Sequence, residues 1–251
     1  MKRYKLVIAY DGTDYCGWQA QPGTKTVAGT LQDAIKRVFG SSILIIGASR
    51  TDSGVHARGQ IATCLADFPA SPDSVMHAWN NQLPPAIVIQ SLEIVDSAHS
   101  IFADIAYKTY KYRLFFKRPA PFDTRYGWFV PRRINNIALL ESALQVFVGT
   151  HDFRSFSTGD DRGDDTIRTI DSITIEHEAN ALVIVVKGQK FLHHMVRRIV
   201  GAACDVASRP DFSVDCLARI LLEKNPRQRL TNAPAQGLTL ESITYKSMEL
   251  R

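Results

Sequence analysis

Residues 4–10 alternate, with Tyr4, Leu6, Ile8 and Tyr10 on one side of the chain and Lys5, Val7 and Ala9 between them, the period of a half-buried strand. Such a strand buries its apolar face only against another layer, and the next patterned segment supplies one. Thr26 is placed to cap a helix from Val27 to Phe39, with Val27, Leu31, Ala34 and Val38 on one face and Gly40 as its stop. The rhythm continues with strands at 43–48 and 60–65, a helix at 73–82 closed off by Pro84-Pro85, and a strand at 87–95. The second half repeats it. A strand at 107–116 precedes a helix at 134–147 with Gly149 as terminator, then strands at 170–175 and 182–187. Met195, Ile199, Ala202, Ala203 and Val206 carry helical spacing, as does 214–222. The pattern predicts an α+β protein of two similar subdomains, 1–104 and 105–251, with a cleft between them and no literal sequence repeat.

A chain of 251 residues with 45% hydrophobic composition buries a core without staples. Its 4 cysteines, Cys16, Cys64, Cys204 and Cys216, form no C-x-x-C pair, which argues against a zinc site or a disulfide framework and fits a reducing cytoplasm. No basic start leads into an apolar run, and no apolar segment approaches the ~20 residues that span a bilayer, so a soluble chain with no membrane contact is expected. The net charge of +5 is compatible with a polyanionic partner. Between Tyr107 and Arg133, Lys108, Lys111, Arg113, Lys117, Arg118, Arg125 and Arg132 interleave with aromatic residues, against the single acid Asp123. Cations and aromatic faces together grip looped RNA, and an amphipathic strand pair produces the same pattern; both readings stand. The stretch 157–165 is acidic, glycine-bearing and without apolar content, and reads as a loop.

The run Ile43-Leu44-Ile45-Ile46 reads as a buried strand and leads into Gly47-Ala48-Ser49-Arg50-Thr51-Asp52-Ser53-Gly54-Val55-His56-Ala57. A glycine-bracketed loop at a strand end is a common address for an active site, and Asp52 is its one carboxylate. Taken alone, Asp52 equally suits an Asx-turn and Arg50 a loop-closing salt bridge. His56 reads as a hydrogen-bonded scaffold group, Asp11 and Asp14 as turn formers, and His193-His194 lacks metal-ligand spacing on its helix.

Arg-Thr-Asp-Ser-Gly-Val-His-Ala resembles the catalytic loop of the tRNA pseudouridine synthase A family, with Ser53 where the family usually carries alanine. Further matches follow in order: Tyr10-Asp11-Gly12-Thr13 with Gly17-Trp18-Gln19, Tyr110-Lys111-Tyr112, and Gly149-Thr150-His151-Asp152-Phe153. Phe191-Leu192-His193-His194-Met195-Val196-Arg197 and Ala233-Pro234-Ala235-Gln236-Gly237-Leu238 complete the series, so the resemblance covers nearly the whole chain. It implies two α+β halves sharing a long mixed, mostly antiparallel sheet with helices on one side. It also implies uridine-to-pseudouridine isomerisation at positions 38, 39 and 40 of the tRNA anticodon stem-loop by a cytoplasmic homodimer. Asp52 is then the nucleophile, Arg197 its ionic partner, Tyr110 the ring that stacks on the target uracil, and Arg50 the group that fills the space left by the everted base. No metal and no organic cofactor are implied, since the reaction needs a carboxylate that is already charged at neutral pH and a base for one proton.

Arg198 lies ~100° around the helix from Arg197, so only one of the two faces the site in the same way. The family's alanine–arginine pair ahead of the stacking tyrosine is replaced by Ser100-Ile101-Phe102-Ala103-Asp104, which removes a cation at the edge of the site. Two rivals use the same residues differently. An RNA-binding module would make Asp52 expendable, and an N-glycosidase would release free uracil.

Overall fold

The computed structural model describes residues 1–96, 100–130, 134, 136–158 and 165–246. In chain order they form β1 (Lys2–Tyr10), α1 (Val27–Phe39), β2 (Ile45–Gly47), β3 (His56–Ala66), α2 (Pro72–Asn80), β4 (Ile87–Val95) and β5 (Ile105–Phe115). There follow β6 (Trp128–Phe129), α3 (Ile137–Gln145), β7 (Gly149–Asp152), β8 (Ile167–Glu178), β9 (Ala181–Gly188), α4 (Met195–Ser208), α5 (Val214–Glu223) and β10 (Leu238–Tyr245). The class is α+β, as the patterning predicts. Two compact units result: Met1–Ala106 with the chain from Thr239 onward, and Tyr107–Leu238. The last strand, β10, returns to pair with β3 and groups with the first unit. Among the described residues no helix is long and apolar enough to cross a membrane.

In the first unit the strands run β4-β1-β3-β10, with β2 also paired to β3. β1 is antiparallel to both β3 and β4, and β10 joins β3 in parallel with Thr239 opposite His56. Tyr4, Leu6, Ile8 and Tyr10 are all buried, as alternation requires. A register shift between Ile8 and Tyr10 brings Tyr10 opposite Ala57, at the mouth of the Asp52 loop. Helix α1 has the expected ends: Thr26 Oγ1 accepts from the Gly29 N–H, and Gly40, at φ 72°, donates its N–H to the Lys36 carbonyl. The Trp79 indole N–H donates to the Leu31 carbonyl at 2.9 Å and ties α2 to α1. One expectation fails here. The strand read at 43–48 shrinks to the three residues of β2, and Leu44 and Ile46 are 66% and 42% exposed, with Ile45 the buried residue of β2. A short edge strand can be apolar on both faces without being covered.

The second unit is an antiparallel set, β5-β9-β8-β7, with β6 parallel to β5. β9 is buried along nearly its whole length, which explains its unbroken apolar run. Tyr110, Tyr112 and Leu114 share the buried face of β5, while Lys111 and Arg113 reach across β9 to Glu176 and Glu178 of β8 at 3.1 and 2.9 Å. For these two cations the amphipathic-strand reading holds. Phe122, Tyr126 and Phe129 of the same stretch are exposed, and Arg132 and Arg133 lie outside the described residues. Helix α3 starts after Asn136, whose side chain caps the Leu139 N–H, and ends at Gln145. Gly149 is therefore not its terminator. At φ 107° it opens β7 instead. Of the loop read at 157–165, residues 159–164 lie outside the described residues; Ser157 is buried.

Asp152, at the end of β7, illustrates the electrostatics of this unit. Burial pushes its carboxyl up, but the Thr166 hydroxyl at 2.5 Å, the Arg154 N–H at 3.1 Å and Lys224 at 3.5 Å together hold it below the usual carboxylate range. A depressed folded-state value means stability that is present above the ordinary carboxylate range and is lost as pH falls through the folded value. Denaturant midpoints measured on acidification should fall less steeply in Asp152→Asn than in the parent; equal slopes would remove Asp152 from the acid sensitivity.

Candidate active site

Asp52 sits on the loop joining β2 to β3, and backbone groups on both sides of it are tied down. The Gln60 side chain, fully buried, substitutes for a strand partner: its Oε1 accepts from the Ser49 N–H at 3.2 Å and its Nε2 donates to the Ser49 carbonyl at 2.6 Å. The Ala48 N–H donates to the Ile61 carbonyl, and the Val55 N–H closes a turn on the Asp52 carbonyl at 3.1 Å. Gly54 occupies that turn at φ 78°, a conformation open to glycine at no steric cost.

The segment after β1 clamps this loop from outside. The Trp18 N–H donates to the Thr51 carbonyl, and the Tyr15 carbonyl accepts from both the Gly54 N–H and the Ser53 hydroxyl. Alanine at 53 could not make the second of these bonds. The hydroxyls of Tyr10 and Thr51 meet at 2.8 Å in a buried contact. Backbones come so close that a Cβ on Gly12 would stand 2.0 Å from the Val55 carbonyl oxygen. The Gly12 N–H donates to His56 Nδ1 at 3.1 Å, so His56, only 4% exposed, is a scaffold group as expected. Asp11 accepts from the Thr13 N–H and hydroxyl, an Asx-turn. Asp52 is left half-buried on a rigid loop, with buried Thr51 and Val55 to either side. Arg50 is exposed and makes no ion pair among the described residues, so the loop-closing salt bridge weighed for it is absent there.

In the second unit Tyr110 projects from β5 against the edge of Phe191, with centroids 5.1 Å apart and planes at 80°. The two arginines at the start of α4 diverge as helical geometry demands. Arg198 is 3% exposed and donates to the Ser157 carbonyl at 2.5 Å and to the Gln228 carbonyl; among the described residues its Nε has no hydrogen-bond partner. Burial lowers its pKa. Arg197 is half-buried and donates from Nε to the Ala233 carbonyl at 2.7 Å. Ala233 returns its N–H to the Arg197 carbonyl at 3.2 Å.

Asp52 and Arg50 thus share one loop of the first unit, while Tyr110 and Arg197 stand on β5 and α4 of the second. Sequence reasoning did not find Gln60, the Tyr10–Thr51 contact or the staple made by Arg198. Only Gly12, in a Tyr-Asp-Gly turn, hinted at a close approach.

The chain matches the family model for tRNA pseudouridine synthase over residues 6–102 and 143–246. It is 32% identical over 247 residues to the tRNA pseudouridine synthase A of Pseudothermotoga lettingae, covering 98% of this chain and 100% of the relative. The enzyme of the same name from Brevibacillus brevis is 36% identical over 250 residues, again 98% and 100% of the two chains. That of Chlamydia trachomatis is 37% identical over 249 residues, 97% of this chain and 92% of the relative. The chain belongs to the tRNA pseudouridine synthase family, whose members are isomerases acting on uridine in tRNA.

Proposed function

We propose that the protein converts uridine to pseudouridine at positions 38, 39 and 40 of the tRNA anticodon stem-loop, with Asp52 as nucleophile. The observation that carries this is Asp52 itself: the carboxylate of the family's motif, half-buried, on a loop whose flanking backbone is bonded on both sides. A nucleophile held that firmly need not be ordered at the moment of attack.

In this reading a uridine leaves its stack, a change costing a few kcal/mol. Arg50, exposed and without an ion pair among the described residues, moves into the vacated space, where its planar head stacks and contacts phosphate together. The Asp52 carboxylate attacks the sugar, and the N1 glycosidic bond breaks with its electron pair leaving on uracil. The uracil turns, a bond forms from C5 to the sugar carbon as the carboxylate leaves, and the C5 proton passes to a base. Redox state and atom count are unchanged, so the reading assigns no metal or cofactor a part. Arg197 keeps the carboxylate charged once water is excluded. Tyr110, its ring fixed against Phe191, lies under the base. Family likeness further supports a cytoplasmic homodimer in which one tRNA touches both subunits, testable by sedimentation with and without tRNA.

Tyr110→Phe separates ring from hydroxyl. Packing on Phe191 and stacking on the base persist, so melting and tRNA binding should be unchanged while proton transfer at C5 slows by about 10²-fold. An unchanged rate would assign Tyr110 to stacking alone. The reading as a whole is tested by mapping pseudouridine in transcribed tRNA after incubation with the protein: residues at 38–40 are expected, and modification elsewhere or none would reject it.

A further inference from the structure

We propose that Tyr112 is a positioning residue: its hydroxyl, acting through the Pro234 carbonyl, holds the backbone at Ala233 that aims the Arg197 guanidinium. The inference rests on the role given to Arg197 above and extends the site to the Ala233–Leu238 motif, which that reading leaves without a task.

The segment 231–237 is pinned at successive residues. At its start, Thr231 donates its hydroxyl to Asp205 of α4 at 2.6 Å, and Gly201 of α4 lies so close that a Cβ there would stand 2.0 Å from the Thr231 carbonyl oxygen. Next comes buried Ala233, joined to Arg197 by two bonds, one from the guanidinium Nε to its carbonyl and one from its N–H back to the Arg197 carbonyl. Pro234 follows. Its carbonyl accepts the Tyr112 hydroxyl at 2.7 Å, and the Tyr112 ring fills the room a side chain at 237 would need, 2.4 Å from a Cβ built on Gly237.

A guanidinium is a rigid planar fork, so fixing Nε fixes the directions of the Nη donors left for a carboxylate. The Ala233 carbonyl does this only if its own plane is fixed, and the adjoining peptide is held by Tyr112. Burial raises the Tyr112 pKa, with Cys204 adding to the rise and Arg197 opposing it, so the phenol remains a donor at any working pH. The geometry also predicts that losing the hydroxyl spares the fold. Pro234 keeps a second donor, the Gly237 N–H at 3.3 Å, and the ring, closed edge-on by Trp128, stays in place.

The test compares Tyr112→Phe, Arg197→Lys and the double variant in single-turnover isomerisation of transcribed tRNA, with tRNA affinity and melting measured alongside. Tyr112→Phe should slow the bound-state rate by about 10-fold, as a misaimed group does, with affinity and melting unchanged. The double variant should be no slower than Arg197→Lys alone, since the fork that Tyr112 aims is gone. Thr231→Val, which frees the same segment from Asp205, should couple to Arg197→Lys in the same way and covers the case of a Tyr112→Phe that does not fold. Losses that multiply, a rate loss that follows melting, or an unchanged rate in Tyr112→Phe would each overturn the proposal. Full activity in Arg197→Ala would instead sink the role of Arg197 itself.

Discussion

Asp52→Ala should leave a folded protein that binds tRNA and makes no pseudouridine. The loss expected for removing the only nucleophile is about 10⁴-fold or more, equivalent to about 5.4 kcal/mol of barrier at 1.36 kcal/mol per tenfold. The fold is spared because much of the loop is shaped by bonds through backbone groups and other side chains. Gln60 holds residue 49, Trp18 and Tyr10 hold residue 51, and the Asp52 carbonyl still receives the Val55 N–H. Melting within about 2 °C of the parent, less than 1 kcal/mol for a chain of this size, would show that chemistry alone was lost. Retained modification in this variant would end the case for Asp52.

Gly12→Ala is the harshest small change the first unit offers. The new methyl would stand 2.0 Å from the Val55 carbonyl oxygen and 2.6 Å from its carbon, backbone atoms on both counts, so no side chain can swing away to make room. The turn after β1 must separate from the Asp52 loop, straining the Gly12 N–H bond to His56. Overpacking and a lost hydrogen bond together cost about 3 kcal/mol, which lowers melting by about 6–12 °C. Whatever folds has Asp52 displaced, and a shift near 1 Å costs about 10²-fold in rate. Gly23→Ala is the control. Its φ of 71° is unfavourable to alanine, but nothing lies within 4 Å, so a strain of about 1 kcal/mol and full activity are expected. Damage from Gly12→Ala no greater than that from Gly23→Ala would mean that the close approach to Val55 does not limit the loop.

Local signals in the chain were legible where one element decides its own boundaries. The alternation from Tyr4 to Tyr10 and the Thr26 and Gly40 caps of α1 depend on neighbours a few residues away, and β1 and α1 follow them. What escaped depends on partners far along the chain. The apolar run before Gly47 looks like a core strand, yet β2 is a three-residue edge piece, because burial is set by what covers a strand and not by its composition. The return of β10 to β3 joins residues more than 170 positions apart, beyond the reach of any periodicity. Gly149 shows how one residue type serves two ends: the same positive φ that would stop α3 instead starts β7.

At the candidate site the motif residues were legible from likeness and their supports were not. Arg197 and Arg198 differ by one position, and only the structure shows the second sealed between the Ser157 and Gln228 carbonyls while the first bonds to Ala233. The basic-aromatic stretch likewise resolves into parts, since Lys111 and Arg113 are occupied by Glu176 and Glu178 whatever the exposed Phe122, Tyr126 and Phe129 do with RNA.

The most direct measurement uses transcribed tRNA labelled with tritium at uridine C5. The account predicts that the parent protein releases tritium to water without free uracil, and that Asp52→Ala, at protein concentrations that saturate the tRNA, releases none. Tritium appearing at the parent's rate in Asp52→Ala, or uracil appearing in place of tritium with the parent, would contradict it.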